Sequence, residues 1–148
     1  MKWLLDTNVV SENVRRHPNQ RVLAWIAAQP SDALAISILT IAELQHGIAM
    51  LANETRERSF DAWMKTHVIP NFGERTLPLT IEILVCWLEM SRLLHAKGRP
   101  RAAADLLIAA TARIHNLTIV SRNVRDFNGT GVVVYDPWTN KMHAMDAP

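Results

Sequence analysis

Trp3-Leu4-Leu5-Asp6-Thr7-Asn8 decides how this chain folds. Three apolar residues stop abruptly at an Asp-Thr-Asn triplet. A run that short reads as a buried strand whose carboxyl end carries the polar side chains. Leu117-Thr118-Ile119-Val120, followed by Ser121-Arg122-Asn123, repeats the arrangement late in the chain. Ala33–Ser37 reads as a second strand and Arg75–Leu79 as a weak one, because Pro78 interrupts it. A last strand spans Val132–Tyr135, entered through the turn Gly129-Thr130-Gly131 and closed by Pro137.

Helical patterns separate these strands. A short helix is expected over Val9–Val14, with Thr7 or Asn8 as its cap. Pro18 is placed to open a second helix running to Gln29, with Val22, Trp25 and Ile26 on one face. Further amphipathic helices are expected at about Thr40–Ala52 and Glu54–Val68, the second ended by Pro70-Asn71-Phe72-Gly73. Thr80–Ala96 follows. Ala102–His115 contains an almost wholly apolar stretch, Leu106–Ala112, as suits a core helix, and Asn116 is placed to cap it in the left-handed conformation. Strands alternating with helices predict a three-layer α/β domain with a central, mainly parallel sheet flanked by helices. Residues 1–138 are expected to form the single domain, and 139–148 a loosely attached C-terminal tail.

Asp6, Glu43, Asp105 and Asp126 lie far apart in the chain, each in or beside an apolar run. Burying an unpaired carboxylate forfeits its hydration, so one shared cation site explains all four at once. In open parallel sheets ligands bind at the carboxyl ends of the strands. Asp6 follows the first strand, Asp126 lies past the Leu117–Val120 strand, and Glu43 is in the first turn of the helix after the second strand. Spacing alone does not bring Asp105 to that edge. Converging acids repel one another, and a hard divalent cation such as Mg2+ or Mn2+ removes the conflict. Such an ion polarises a phosphate and activates water, which suits cleavage of a phosphodiester. Asn8, Ser121 and Asn123 are placed to orient the acids or waters from behind. Taken singly, each acid also has a plain explanation as a turn, cap or solvated helix residue.

Composition narrows the alternatives. The chain has 148 residues, 49% of them hydrophobic, which suits one globular domain. Its formal net charge is only +2, so nucleic-acid affinity must come from local patches. Arg99, Arg101, Arg122 and Arg125 are the expected phosphate contacts, while Arg92 reads as a solvated helix-end cation. Cys86 stands alone in an apolar stretch, consistent with a buried thiol in a reducing compartment. No signal-peptide core and no run of membrane-span length occur, so a soluble, cytoplasmic protein with no membrane contact is expected. The histidines lack zinc-site spacing, and no phosphate-cradling glycine loop or serine-nucleophile motif is present. An aspartyl-phosphate phosphatase would want a second Asp where Asn8 stands. The five tryptophans fall mostly on apolar helical faces, where core packing is their expected role.

Together these segments resemble a known family. Leu4-Leu5-Asp6-Thr7-Asn8-Val9-Val10-Ser11-Glu12 is similar to the opening of PIN-domain toxins of the VapC type. Ser37-Ile38-Leu39-Thr40-Ile41-Ala42-Glu43-Leu44 with Gly47-Ile48 resembles their second acidic motif. Gly98-Arg99-Pro100 with Ala104-Asp105-Leu106-Leu107-Ile108-Ala109-Ala110-Thr111-Ala112 resembles the third, and Val120-Ser121-Arg122-Asn123-Val124-Arg125-Asp126-Phe127 the fourth. Pro137-Trp138 resembles the usual ending, and the surroundings of Trp63 and Trp87 look most like the FitB-like branch. Departures are minor: Ser121 stands where threonine is common, and His46 where an aromatic or arginine often stands.

The resemblance implies a PIN-like fold and a Mg2+- or Mn2+-dependent endoribonuclease, the toxin of a type II toxin–antitoxin system. It further implies an RNA substrate, a small cognate antitoxin that occludes the active-site groove, and a homodimer. Asp6, Glu43, Asp105 and Asp126 fall on the family's acidic positions and serve as the expected catalytic and metal-binding set. Asp6 and Asp105 are expected to bind metal directly, and Glu43 and Asp126 through water or on a second ion. Asp6→Asn is expected to leave the metal-free protein no less stable. The alternative is a non-catalytic RNA- or partner-binding PIN domain, which would have no use for four mutually repelling carboxylates.

Overall fold

Strand β1 (Trp3–Leu5) divides its side chains between two hydrophobic cores, and this division sets the architecture. A computed structural model describes residues 1–148. Leu4 packs on one side of the sheet with Leu94, Leu106 and Ile119. Trp3 and Leu5 pack on the other with Val10, Val22, Ile41 and Met64. Strand β2 (Leu34–Ser37) does the same: Ala35 joins the first core, Leu34 and Ile36 the second. Period-two alternation in which both faces are apolar is what a doubly covered sheet requires.

The sheet has six strands in the order β3-β2-β1-β4-β5-β6, with β3 at Thr76–Leu77, β4 at Thr118–Val120, β5 at Val133–Asp136 and β6 at Lys141–Ala144. Neighbours pair in parallel, except β5 and β6, which are antiparallel. Seven α-helices run in chain order: α1 (Thr7–Val10), α2 (Gln20–Ala28), α3 (Ile38–Ala49), α4 (Glu54–Trp63), α5 (Ile69–Phe72), α6 (Ile81–Ala96) and α7 (Ala103–His115). Residues of α1 to α5 cover the core around Leu5, and α6 and α7 cover the core around Leu4. The expected three-layer α/β domain is therefore present. No helix is long and apolar enough to cross a membrane.

Several local expectations need correction. The cap of α1 is Asp6, whose side chain accepts from the Thr7 N–H, and not Thr7 or Asn8. Helix α2 is opened by Asn19, which accepts from the Arg21 and Val22 N–H groups, so Pro18 lies outside it. The helical run expected over Glu54–Val68 goes on through Pro70, and of the expected Pro70-Asn71-Phe72-Gly73 stop only the last residue acts as one. A π-helical turn over Met64–Val68 carries the chain into α5, and Gly73, with φ of 46°, ends it. Proline lacks the N–H that would bond four residues back, and a widened turn just before it accommodates that loss. The segment after Pro137 is not a loose tail. Lys141–Ala144 pairs with β5, and the Met145 N–H donates to the Val132 carbonyl at 2.8 Å. The antiparallel strand caps what would otherwise be an open sheet edge.

Two buried acids have purely structural partners. Glu12 is 2% exposed, and its Oε1 accepts the Asn19 N–H at 2.7 Å. Asp136 accepts from the Trp138 N–H and from the Thr139 hydroxyl, both at 2.8 Å, holding the turn into β6. Glu12→Ala strands the Asn19 donor in the interior. It is expected to cost about 2 kcal/mol, read as a lower urea midpoint with unchanged slope.

Candidate active site

The carboxyl edge of the sheet is built from side chains that follow β1 and β4. Asp6 is anchored at the end of β1, its N–H donating to the Val120 carbonyl at 3.0 Å. Its Oδ1 accepts the Thr7 N–H at 2.8 Å. Its Oδ2 accepts the Asn8 amide at 2.8 Å and the Ser121 hydroxyl at 2.6 Å. Ser121 Oγ in turn accepts the Asn123 N–H, and Asn8 Oδ1 accepts the Arg122 N–H. Asn8 and Ser121 thus hold Asp6 directly, whereas Asn123 joins the network only through its backbone. Burial pushes the Asp6 carboxyl above its usual range despite these donors, and the nearby charge of Asp126 adds to the push.

Asp105 stands in the first turn of α7, where the helix dipole favours a negative charge. Its pKa is nonetheless pushed up to about 6, first by burial and then by repulsion from Asp126, Asp6 and Glu43, with Arg101 opposing. Desolvation and three like charges therefore outweigh the dipole. The same couplings answer what spacing left open: α7 carries Asp105 to the edge that holds the other three acids. Glu43, in α3, is tied to the site by the Thr7 hydroxyl, which donates to its Oε2. Sequence reading missed this role for Thr7, seeing only a possible helix cap. The signal was available, since a threonine beside a strand-end aspartate faces the same edge.

No three acidic, histidine or cysteine side chains are drawn together tightly enough to form a finished metal cage. The four acids instead form a loose, mutually repelling group of hard oxygen donors. Such a group fits a divalent cation that keeps much of its water, because the ion would relieve the repulsion that adds to burial in raising Asp105.

The expected stability of Asp6→Asn in the absence of metal needs correction. An asparagine amide would set its own N–H groups against donors that now point at Asp6. The arginines divide as well. Arg99, Arg122 and Arg125 line a cleft that also contains Asp126. Arg101 Nε donates to the Asn128 carbonyl at 3.2 Å, so part of its function is to fasten the loop after Asp126. Gly129, with φ of +83°, turns that loop where a Cβ would come within 2.8 Å of Leu94.

A parallel α/β sheet whose carboxyl edge gathers acids from β1, α3, α7 and the turn after β4 defines the PIN class of domain. The PIN domain family matches residues 3–131, and the chain belongs to it. Over 135 residues it is 36% identical to toxin FitB of Neisseria gonorrhoeae, covering 91% of this chain and 97% of FitB. It is 33% identical over 135 residues to the VapC ribonuclease Y4jK of Sinorhizobium fredii, covering 91% and 96% of the two chains. The crystal structure of FitAcB from Neisseria gonorrhoeae superposes with a TM-score of 0.87 at 35% identity, covering 92% of this chain and 98% of that one.

Proposed function

We propose that this chain is a metal-dependent endoribonuclease and the toxin of a type II toxin–antitoxin pair, acting in the cytoplasm with Mg2+ or Mn2+. The observation that carries the reading is the convergence of Asp6, Glu43, Asp126 and Asp105, the last with its pKa pushed up to about 6, at one sheet edge. Relatives named as a toxin and a ribonuclease support it. Residues 1–138 would be the catalytic domain, and 139–148 its C-terminal extension.

The four acids would hold the ion, with Asp6 and Asp105 as the direct ligands. When bound, the ion polarises the scissile phosphate and lowers the pKa of the attacking water. The remaining work falls to the chain itself. Ser121, Asn8 and the Thr7 N–H fix the Asp6 carboxylate before substrate arrives. The Thr7 hydroxyl aims Glu43. Arg99, Arg122 and Arg125 attract the phosphate backbone, and Arg101 tempers the charge at Asp105. A small antitoxin is the proposed inhibitor. A homodimer is supported by an exposed apolar stripe on α6, Ile81, Val85 and Leu88, whose spacing puts them on one helical face.

The test is cleavage of total RNA by purified protein in manganese. Cleavage abolished by EDTA is the expected result. Cleavage that persists in EDTA would sink the metal mechanism, and binding of RNA without any cleavage would leave the non-catalytic module. Thr7→Val should lower cleavage by about 10–100-fold, as loss of an outer-shell partner does, while Thr7→Ser restores most of it. Equal activity of both variants would remove Thr7 from the site.

A further inference from the structure

The cleft beside Asp126 has a volume of about 950 Å³ and extends well beyond the acids. Its wall is made by Arg99, Arg122, Arg125 and, from the antiparallel edge strand, Lys141 and His143. The ion pairs of the chain are Arg15–Glu12, Arg58–Glu54 and Lys65–Asp61, so none of the cleft cations is engaged in one. Asp136 and Asp146 also line the cleft, yet neither pairs with a cation, and both carboxylate oxygens of Asp136 already accept hydrogen bonds. Arg122 lies over the Trp138 ring at 5.4 Å, which holds its guanidinium in place while leaving its N–H fork open to a ligand.

Four unpaired cations in one concave wall are conspicuous in a chain whose formal net charge is only +2. Asp126, Asp136 and Asp146 line the same cleft, so four cations against three carboxylates leave it formally one positive, and the free cations serve a polyanion as individual phosphate contacts. A polar lining with few apolar side chains argues against a folded protein partner, whose interface core would be apolar. Strand β6 adds direction. Alternate strand residues share a face, so Lys141 and His143 project together into the cleft about 7 Å apart. Asp126 lines the cleft and so joins it to the acidic centre.

We propose that β6 is a substrate-binding element: Lys141 and His143, with Arg122 and Arg125, hold the phosphate backbone of a single-stranded RNA segment running from the acids towards the C-terminal edge. The assignment rests on the nuclease reading and adds to it where the strand lies. Lys141 and His143 are positioning residues, remote from the reacting atoms.

The test compares Lys141→Thr/His143→Thr with wild type and with Arg113→Gln, a control on the last turn of α7 that also removes one fixed cation. Threonine keeps the strand propensity of β6, and melting temperatures confirm folding. Binding of a fluorescein-labelled single-stranded RNA of mixed sequence is followed by anisotropy in EDTA across a salt series, and cleavage is measured in manganese. The double variant should bind about fivefold more weakly at low salt. Its salt slope should be lower by about 0.7, because one lysine no longer neutralises a phosphate. Its KM for RNA should rise with kcat within about twofold, while Arg113→Gln matches wild type. A double variant that binds and cuts like the control overturns the assignment and leaves the nuclease standing. Wild-type protein that neither binds nor cuts RNA overturns both.

Discussion

Asp105→Asn is expected to lower manganese-dependent RNA cleavage about a thousandfold, equivalent to about 4 kcal/mol of transition-state stabilisation. The same substitution should leave the metal-free protein at least as stable as wild type. Asp105 accepts no hydrogen bond in the structure, and its carboxylate is repelled by Asp126, Asp6 and Glu43. A neutral amide of the same shape removes that repulsion. Asp6→Asn should abolish cleavage to a similar degree but behave differently in EDTA. There one carboxylate oxygen becomes an N–H group that faces either the Thr7 N–H or the Asn8 and Ser121 donors, at a cost of about 1–2 kcal/mol. Single-turnover cleavage and urea denaturation in EDTA separate the two variants. Retained cleavage by Asp105→Asn would remove Asp105 from the catalytic set, and a large loss of metal-free stability would make it structural.

The second expectation concerns pH and metal together. The folded-state pKa of Asp105 is raised from 3.8 to about 6. Between those values the folded protein holds a proton that the unfolded chain has released. Stability in EDTA therefore falls as pH rises through that window and levels off above it. Asp6, also raised, acts in the same direction. Glu82 is lowered and would act oppositely, but it is exposed and solvent screens it. Manganese pairs with the deprotonated carboxylates, so the rise in melting temperature on adding it should grow from pH 4 to pH 7. Thermal melts of wild type and Asp105→Asn, with manganese or EDTA, test this as a difference. A wild-type metal effect that does not change with pH, or one that Asp105→Asn reproduces in full, would contradict it.

The strands were legible because each is brief, apolar and sharply bounded. Leu4-Leu5-Asp6 and Ile119-Val120-Ser121 announce both the strand and its functional end. Helix α7 was legible for a related reason, since only a buried helix can be apolar nearly all round. The passage through Pro70 was not legible, because a proline reads locally as a stop and only the π turn before it lets the helix continue. Nor was β6. Lys141-Met142-His143-Ala144 has no strand-like composition, and it becomes a strand because β5 offers an unpaired edge. Glu12 hid because its acceptor is satisfied by the Asn19 N–H, a donor that no spacing rule locates.

The site divides along the same line. That acids and amides stand at strand ends is a property of the chain itself, since a strand's last residue and its successor are covalently joined. Asp6, Asn8 and Ser121 were therefore readable as neighbours of one edge before any fold was known. Bringing Asp105 to that edge, letting Thr7 reach Glu43, and facing Lys141 and His143 into the arginine cleft all depend on how helices and the edge strand pack on the sheet. Packing is set by burial summed over both cores. The resulting distances between residues far apart in the chain, and the burial and repulsion that raise the Asp105 pKa, exist only in the assembled structure.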